Sequence, residues 1–456
     1  MTEKKYDIII IGAGPGGYRA ACHAAAAKLS VAIVEAVEAG GTCLNRGCIP
    51  TKALCHEAET IEQARLFKDI GNDEPTFNID IQAIRKKVDG VVAQLRSGIE
   101  TLLSQPNISL IKGHAHFAGD HSIRVGEAIL TAENIIIATG SSPKSLNIQG
   151  ERLEGVLNSN SILALDSIPS ELCIVGAGVV GMEFASIFNA FGSKVTVVEY
   201  LKEALPTLDS DIAKRLRQSM SRKGITFHTQ SKVVKITESS NSDGASKLEL
   251  TFEKKGTETT VSADNILIAT GRKANIEGLG IENTSIAHNN GTIDVDDDFR
   301  TSVNGVWAIG DVNGITMLAH AAEAQAKHVV NSILGLDDNI RFDIMPSAVF
   351  TLPQAAAVGP SEAELKADGT AYECRKQYYR SNGRAVAEGR AEGMVKLFTE
   401  SSTGRLLGCH AFGAESAAIV QEVAAMMNLN ATIGDIRDII HIHPTISEVL
   451  AEAANS

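Results

Sequence analysis

Two stretches of this chain carry one pattern. DIIIIGAGPGGYRAACHAAAAKLSVAIVEA and ELCIVGAGVVGMEFASIFNAFGSKVTVVEY each run from an apolar β-branched strand through GxGxxG into a helix, then a second apolar strand closed by an acid. The glycines are Gly12, Gly14 and Gly17, then Gly176, Gly178 and Gly181. The acids, Glu35 and Glu199, lie at the same distance beyond the first glycine in both copies. Such runs read as buried parallel strands. The first glycine permits a tight turn, the second lets the backbone approach a pyrophosphate, and the third lets helix and strand pack closely. The phosphate then meets the free amides of the helix start. A carboxylate ending the second strand accepts hydrogen bonds from a ribose diol and repels a 2′-phosphate. Each copy is followed later by an apolar strand ending in Ala-Thr-Gly, NIIIATG at 134–140 and NILIATG at 265–271. The chain is therefore expected to be α/β, with two Rossmann-like units and two dinucleotides. Glu199, followed by YLKEALP without an arginine, favours NAD over NADP in the second.

Composition narrows the function. The 456 residues are enough for two to four domains. A net charge of −13 argues against nucleic acid and against an anionic membrane surface. The apolar run after MTEKKY is too short for a signal peptide, no segment reads as a membrane span, and no Arg/Ser-rich leader is present. Seven scattered cysteines do not make a secreted disulfide scaffold. The cytoplasm is the expected compartment.

Cys43 and Cys48 stand apart from the other five, in GGTCLNRGCIPTK directly after the first unit's second strand. In a regular helix, residues five apart have Cα atoms roughly 8.6 Å apart, too far for a disulfide. Gly47 and Pro50 allow a distorted turn there. A metal site would need further soft ligands, and none cluster with the pair. Two free buried thiols leave the glycines unexplained, and a structural bridge closing so short a loop would do little for stability. A redox disulfide fits best. Hydride transfer and thiol–disulfide exchange both move two electrons, and a flavin can link them. FAD is expected on the first unit and NAD on the second.

GGTCLNRGCIPTK, the paired fingerprints and the C-terminal HIHPTISE together resemble the class I pyridine nucleotide–disulfide oxidoreductases from Tyr6 to about Ala451, and CLNRGCIPTK with HPTISE resembles their lipoamide branch. The resemblance implies oxidation of protein-bound dihydrolipoamide to lipoamide with NAD⁺, through Cys43–Cys48 and FAD. It implies that Cys48 faces the flavin and Cys43 exchanges with substrate. Lys52 would lie by the flavin ring and pair with Glu183. Thr42, Gly113, Ala115, Thr139, Gly140, Asp311, Met317, Ala319 and His320 are implied at FAD, and Glu183, Val233, Gly271 and Arg272 at NAD. His443 is implied as the base for dithiol oxidation, oriented by Glu448, and reaching the cysteines of the other subunit of a homodimer. Imidazole titrates in the right range for that work. His441 reads as structural. Implied partners are a lipoyl-bearing acyltransferase or a glycine-cleavage carrier. Ala274, Gln354 and AEAQAKHVV depart from the family pattern and touch packing.

The expected domains are a split FAD domain (1–146 and 276–340), an NAD domain (147–275) and a C-terminal α+β dimerisation domain (341–456). SSPKSLNIQGERLEG reads as the linker between the first two, and residues 84–104 as a helix. No extension for partner binding is expected before Tyr6. A related reductase of a glutathione-like disulfide is the alternative. A redox-inactive flavin-binding scaffold would have no use for the Cys, His and Glu set. Mercuric reduction lacks a C-terminal cysteine pair.

Overall fold

The computed structural model describes residues 3–71, 73, 75–240 and 246–456. Met1 and Thr2, where the leader reading begins, lie outside them. The chain separates into two compact units. One comprises Met1–Ala53, Ala83–Lys144 and Arg272–Ile340; the other comprises Leu54–Gln82, Ser145–Gly271 and Arg341–Ser456.

The first unit is built on a seven-stranded sheet. Strand Glu3–Ile11 lies between Val31–Glu35 and Ala128–Ile137, parallel to both, with Ile8 opposite Val31 and Ile11 opposite Val34. Ile108–Lys112 extends one side. The antiparallel strands Ser122–Val125 and Ala115–Gly119 extend the other, and Val306–Ala308 also pairs with Ala128–Ile137. Ile8, Ile9 and Ile10 are all fully buried, as strands covered on both faces must be. Helix Pro15–Ala26 lays Ala20, Ala21, Ala24 and Ala25 inward, so the alanine run lets it sit close to the sheet. The expected linker is ordered at its start: Ser141–Pro143 pairs antiparallel with Arg272–Ala274.

The second unit repeats the parallel arrangement. Its five-stranded sheet runs Thr226–His228, Lys194–Val198, Glu171–Val175, Asn265–Ile268, Val156–Leu157. A three-stranded antiparallel meander, Lys232–Ser240, Ser246–Lys254 and Thr257–Ala263, packs Leu248, Leu250 and Phe252 onto Cys173, Val175 and Val198. Residues beyond 341 form a five-stranded antiparallel sheet, against which the helices Ser416–Asn428 and Glu448–Asn455 bury Val420, Val423 and Leu450. The helix expected at 84–104 spans Ile81–Leu103. Among the described residues no helix is long and apolar enough to cross a membrane.

Candidate functional site

The first fingerprint is closed to side chains. A Cβ on Gly17 would stand 1.8 Å from Gly12 O, so helix and turn meet through bare backbone. Gly14 caps the helix with no side chain on its first amides, which leaves that end for an anion. The Glu35 carboxylate is gripped by two amides, Ala13 N at 2.7 Å and Val37 N at 2.9 Å, and Gly113 N donates to Glu35 O at 2.9 Å. Glu35, Gly113 and Ala115 thus gather at one end of the sheet.

At the same C-terminal edge of the sheet, where Ile11 lies opposite both Val34 and Ile137, Thr139 Oγ1 donates to Asn275 O at 2.7 Å, and Asn275 N to Gly140 O at 2.9 Å. Ser141 Oγ donates to Asp311. The Gly310–Asp311 turn is fixed by Gln325, whose Oε1 accepts Gly310 N at 2.7 Å and Asn313 Nδ2 at 3.2 Å. Sequence reasoning missed Gln325, setting AEAQAKHVV aside as packing. Ala319 and His320 open the helix Ala319–Ile333, whose N-cap, Leu318, offers no side-chain cap, and Met317 precedes it, 37% exposed. Such an end draws negative charge.

Arg272, expected at NAD, lies in the first unit. Its guanidinium donates to Ser141 Oγ at 2.6 Å and Ser141 O at 2.5 Å, and lies 3.8 Å from Asp311. The arginine directly follows Gly271, where the chain passes into Arg272–Ala274 and pairs with Ser141–Pro143.

The cysteine segment is docked onto the same fingerprint. Gly40 N donates to Ala13 O at 2.8 Å, and a Cβ on Gly41 would fall 2.7 Å from Gly14 Cα. The double glycine is what lets the segment come so near. One helix, Gly41–Arg46, ends at Gly47, and a second, Cys48–Arg65, starts on the next residue. A Cβ on Gly47 would stand 3.0 Å from Thr42 O. The break brings the pair together as thiols: Cys43 is pushed up first by its hydrogen bond with Cys48, then by burial, with Lys52 acting in the opposite direction. Asn45 Nδ2 donates to Gly41 O at 2.9 Å and to Ala39 O at 3.0 Å, while Arg96 Nε donates to Asn45 Oδ1 at 2.8 Å. Glu38 ties Arg46 and Arg96, each at 3.3 Å. Arg96, on a distant helix, carried no local signal in the sequence.

The second fingerprint copies the first. A Cβ on Gly181 would stand 1.9 Å from Gly176 O, and around Gly178 there is open space. Glu199, 8% exposed, accepts Ala177 N and Leu201 N, both at 2.6 Å. Thr270 Oγ1 is buried with no hydrogen-bond partner, beside the open Gly271, so the groups present suit a nucleotide. Glu183 is buried on the fingerprint helix, and its Oε1 accepts Phe350 N at 2.9 Å. Val233 packs partly buried against the meander core, next to a bulge.

In the C-terminal part, His443 Nδ1 lies 2.9 Å from Glu448 Oε1, and Glu448 Oε2 accepts Thr445 N at 2.8 Å. With Nδ1–H donating to the carboxylate, Nε2 keeps its lone pair, the form a base needs. The Thr445 amide and then His443 hold the Glu448 carboxyl below the usual carboxylate range. The His443 side chain is 80% exposed. His441 instead is buried, with Nε2 3.2 Å from Glu422 Oε1.

Two family models match the chain: the pyridine nucleotide-disulphide oxidoreductase over residues 6–326, and that family's dimerisation domain over 345–454. Dihydrolipoyl dehydrogenase 3 of Haloarcula marismortui is 37% identical, covering 99% of this chain and 96% of its own. Dihydrolipoyl dehydrogenase of Bacillus subtilis is 36% identical over 99% and 97%. Among solved structures, the HOCl-induced flavoprotein disulfide reductase RclA from Escherichia coli, as its Cu(II) complex, superposes with a TM-score of 0.87 at 29% identity, covering 99% of both chains.

Proposed function

Because this chain belongs to the pyridine nucleotide–disulphide oxidoreductases, we propose that it oxidises protein-bound dihydrolipoamide to lipoamide with NAD⁺. The family's cofactors are FAD and a pyridine nucleotide, and the matched dimerisation domain makes the protein a homodimer. The observation that carries the substrate reading is the Cys43–Cys48 thiol pair, held at a helix break on the first fingerprint, in a chain that also carries the His443–Glu448 couple. The curated relatives named for dihydrolipoyl substrates add support.

In this reading the substrate dithiol attacks the oxidised pair at Cys43. One substrate sulfur bonds to Cys43 Sγ and the Cys43–Cys48 bond breaks. The second substrate sulfur then closes the lipoamide ring and releases Cys43 as a thiol. His443 of the partner subunit takes the proton from the attacking thiol at Nε2, and Glu448 holds the imidazolium formed. FAD, where bound, would supply a two-electron acceptor between the dithiol and NAD⁺. Lys52 supplies positive charge beside the flavin ring. Asp311, Thr139, Gly140, Ala319 and His320 hold FAD, and Glu35 and Glu199 take the two adenosine riboses. Glu199 favours NAD over NADP. Residues 1–146 with 276–340 form the FAD domain and 147–275 the NAD domain. The enzyme works in the cytoplasm on a lipoyl-bearing acyltransferase or glycine-cleavage carrier.

A different disulfide substrate is the competing reading, supported by the likeness to RclA. Anaerobic mixing decides between them. Dihydrolipoamide is expected to bleach the visible absorbance of the purified flavoprotein, and NAD⁺ to restore it. A flavoprotein that NADH bleaches and dihydrolipoamide does not would overturn the substrate.

A further inference from the structure

The loop that follows Glu199 carries a carboxylate, Glu203, that takes a nearby helix cation out of use. Arg217, on the helix Ser210–Arg222, grips Glu203 with both arms of its guanidinium: Nε to Oε1 at 2.5 Å and Nη2 to Oε2 at 3.0 Å. Both side chains are three-quarters buried. The pairing raises the proton affinity of Arg217, first through the Glu203 hydrogen bond. Glu203 Oε1 also accepts Ala204 N at 3.0 Å, so the carboxylate is fixed from its own backbone as well.

The loop carrying Glu203 is anchored at both ends on one fingerprint residue. Ala177 N donates to Glu199 Oε2, and Ala177 O accepts Leu205 N at 3.0 Å. Ala204 and Leu205 are buried, at 0% and 1% exposure. Leu205 sits at φ +49°, a left-handed conformation that a branched side chain adopts only under constraint. The tether is thus strong enough to hold a strained residue. Glu203 is two residues from it, within about 7 Å of chain, beside the carboxylate that meets the adenosine ribose. An arginine near this point is the group that accommodates a 2′-phosphate. Here the arginine is present, and a carboxylate has already claimed its fork.

We infer that Glu203 is a second specificity residue at the nicotinamide-nucleotide site, excluding 2′-phosphorylated ligands by occupying Arg217 and adding negative charge. Glu199 repels the phosphate; Glu203 removes the cation that would have received it. The inference rests on the reading of residues 176–271 as the site of NAD.

The test is calorimetric binding of 5′-AMP and 2′,5′-ADP to the FAD-loaded homodimer, with Glu203→Gln, Arg217→Met and the double variant. Thermal melts establish that each variant is folded. Glu203→Gln is expected to tighten 2′,5′-ADP by roughly tenfold or more, the size of one charge-assisted hydrogen bond, and to leave 5′-AMP unchanged. The gain is expected to fall as salt rises and to vanish in the double variant. An unchanged ratio of the two affinities, or a gain that survives removal of Arg217, overturns the assignment of Glu203 while leaving the NAD site standing. Failure of 5′-AMP to bind any folded variant overturns the site itself and the inference with it.

Discussion

Gly41→Ala isolates what the double glycine does. Two costs apply at this residue. Its φ of +59° is left-handed, worth about 1–2 kcal/mol to any L-residue with a Cβ. In addition the new methyl would stand 2.7 Å from Gly14 Cα and 3.3 Å from Gly14 N. These are backbone atoms that cannot rotate away, so one loop must retreat, and overpacking of that kind costs about 1–3 kcal/mol. Gly126 supplies the control. It has φ +58° in the same unit and nothing within 4 Å of a Cβ, so Gly126→Ala carries only the first cost. At about 2–4 °C per kcal/mol for a unit of this size, Gly126→Ala should lower the melting temperature by roughly 2–8 °C, and Gly41→Ala by several degrees more. Only the Gly41 variant should also lose flavin on gel filtration and expose Cys43 to faster alkylation, since it alone lifts the cysteine segment from the fingerprint. Equal melting temperatures and equal flavin retention in the two variants would refute the docking account.

Four further outcomes are expected. His443→Ala should slow dithiol oxidation by roughly 10²–10⁴-fold, read from steady-state turnover with dihydrolipoamide, while NADH oxidation by an artificial acceptor is retained. Glu448 has its pKa depressed, so its carboxylate, and with it the grip on His443, is present at neutral pH and lost only as pH falls below the usual carboxylate range; Glu448→Gln should therefore lower turnover across the neutral range without a new acid limb. Lys396→Met should destabilise the protein by about 3–5 kcal/mol, seen as a lower melting temperature, because it strips the partner of Asp209, itself 1% exposed and 2.7 Å away. Glu362, drawn down to about 2 by Lys366 and then Lys396, adds stability above the ordinary value of 4.5 that is lost as pH drops from there towards 2; acid melts of Glu362→Gln against the parent should converge in that window and diverge above it.

The parts that local chemistry encodes were legible from sequence. Strands Val31–Glu35 and Lys194–Val198 end at or beside the acids, and the fingerprint glycines meet backbone at distances no side chain tolerates. The helix break at Gly47 follows from the spacing of the cysteines and one glycine. What stayed hidden was set by distant partners. Gln325 fixes a turn from fifteen residues away, and Arg96 steadies Asn45 across fifty-one; nothing in either local pattern distinguishes them from ordinary helix residues. The setting of Arg272 was hidden in the same way, since a chain position next to Gly271 does not say that its guanidinium meets Ser141 and Asp311. The pairing of Arg272–Ala274 with Ser141–Pro143 brings the two segments together.

The two fingerprints also explain how one fold came to hold two different roles. In both, the acid's oxygens are filled by amides at equivalent places, Ala13 and Val37 in one, Ala177 and Leu201 in the other. In both, the chain then folds back to the carbonyl of the same fingerprint residue, through Gly40 N onto Ala13 O and through Leu205 N onto Ala177 O. The returning residue has positive φ each time, +95° at Gly40 and +49° at Leu205. The difference is the side chain at that return. Two successive glycines let the first segment drop onto the pyrophosphate turn and present a cysteine helix there. At the second return a leucine, 1% exposed, stands in place of the glycine, and around Gly178 there is open space. On this geometry Gly40→Leu should abolish flavin binding. Leu205→Gly relieves strain of about 1–2 kcal/mol but gives up a leucine that is 1% exposed, worth about 2–5 kcal/mol, so the variant should melt lower than the parent while keeping 5′-AMP affinity within a few-fold. A folded Leu205→Gly protein that loses 5′-AMP would show that the leucine's packing, rather than its return geometry, holds the loop.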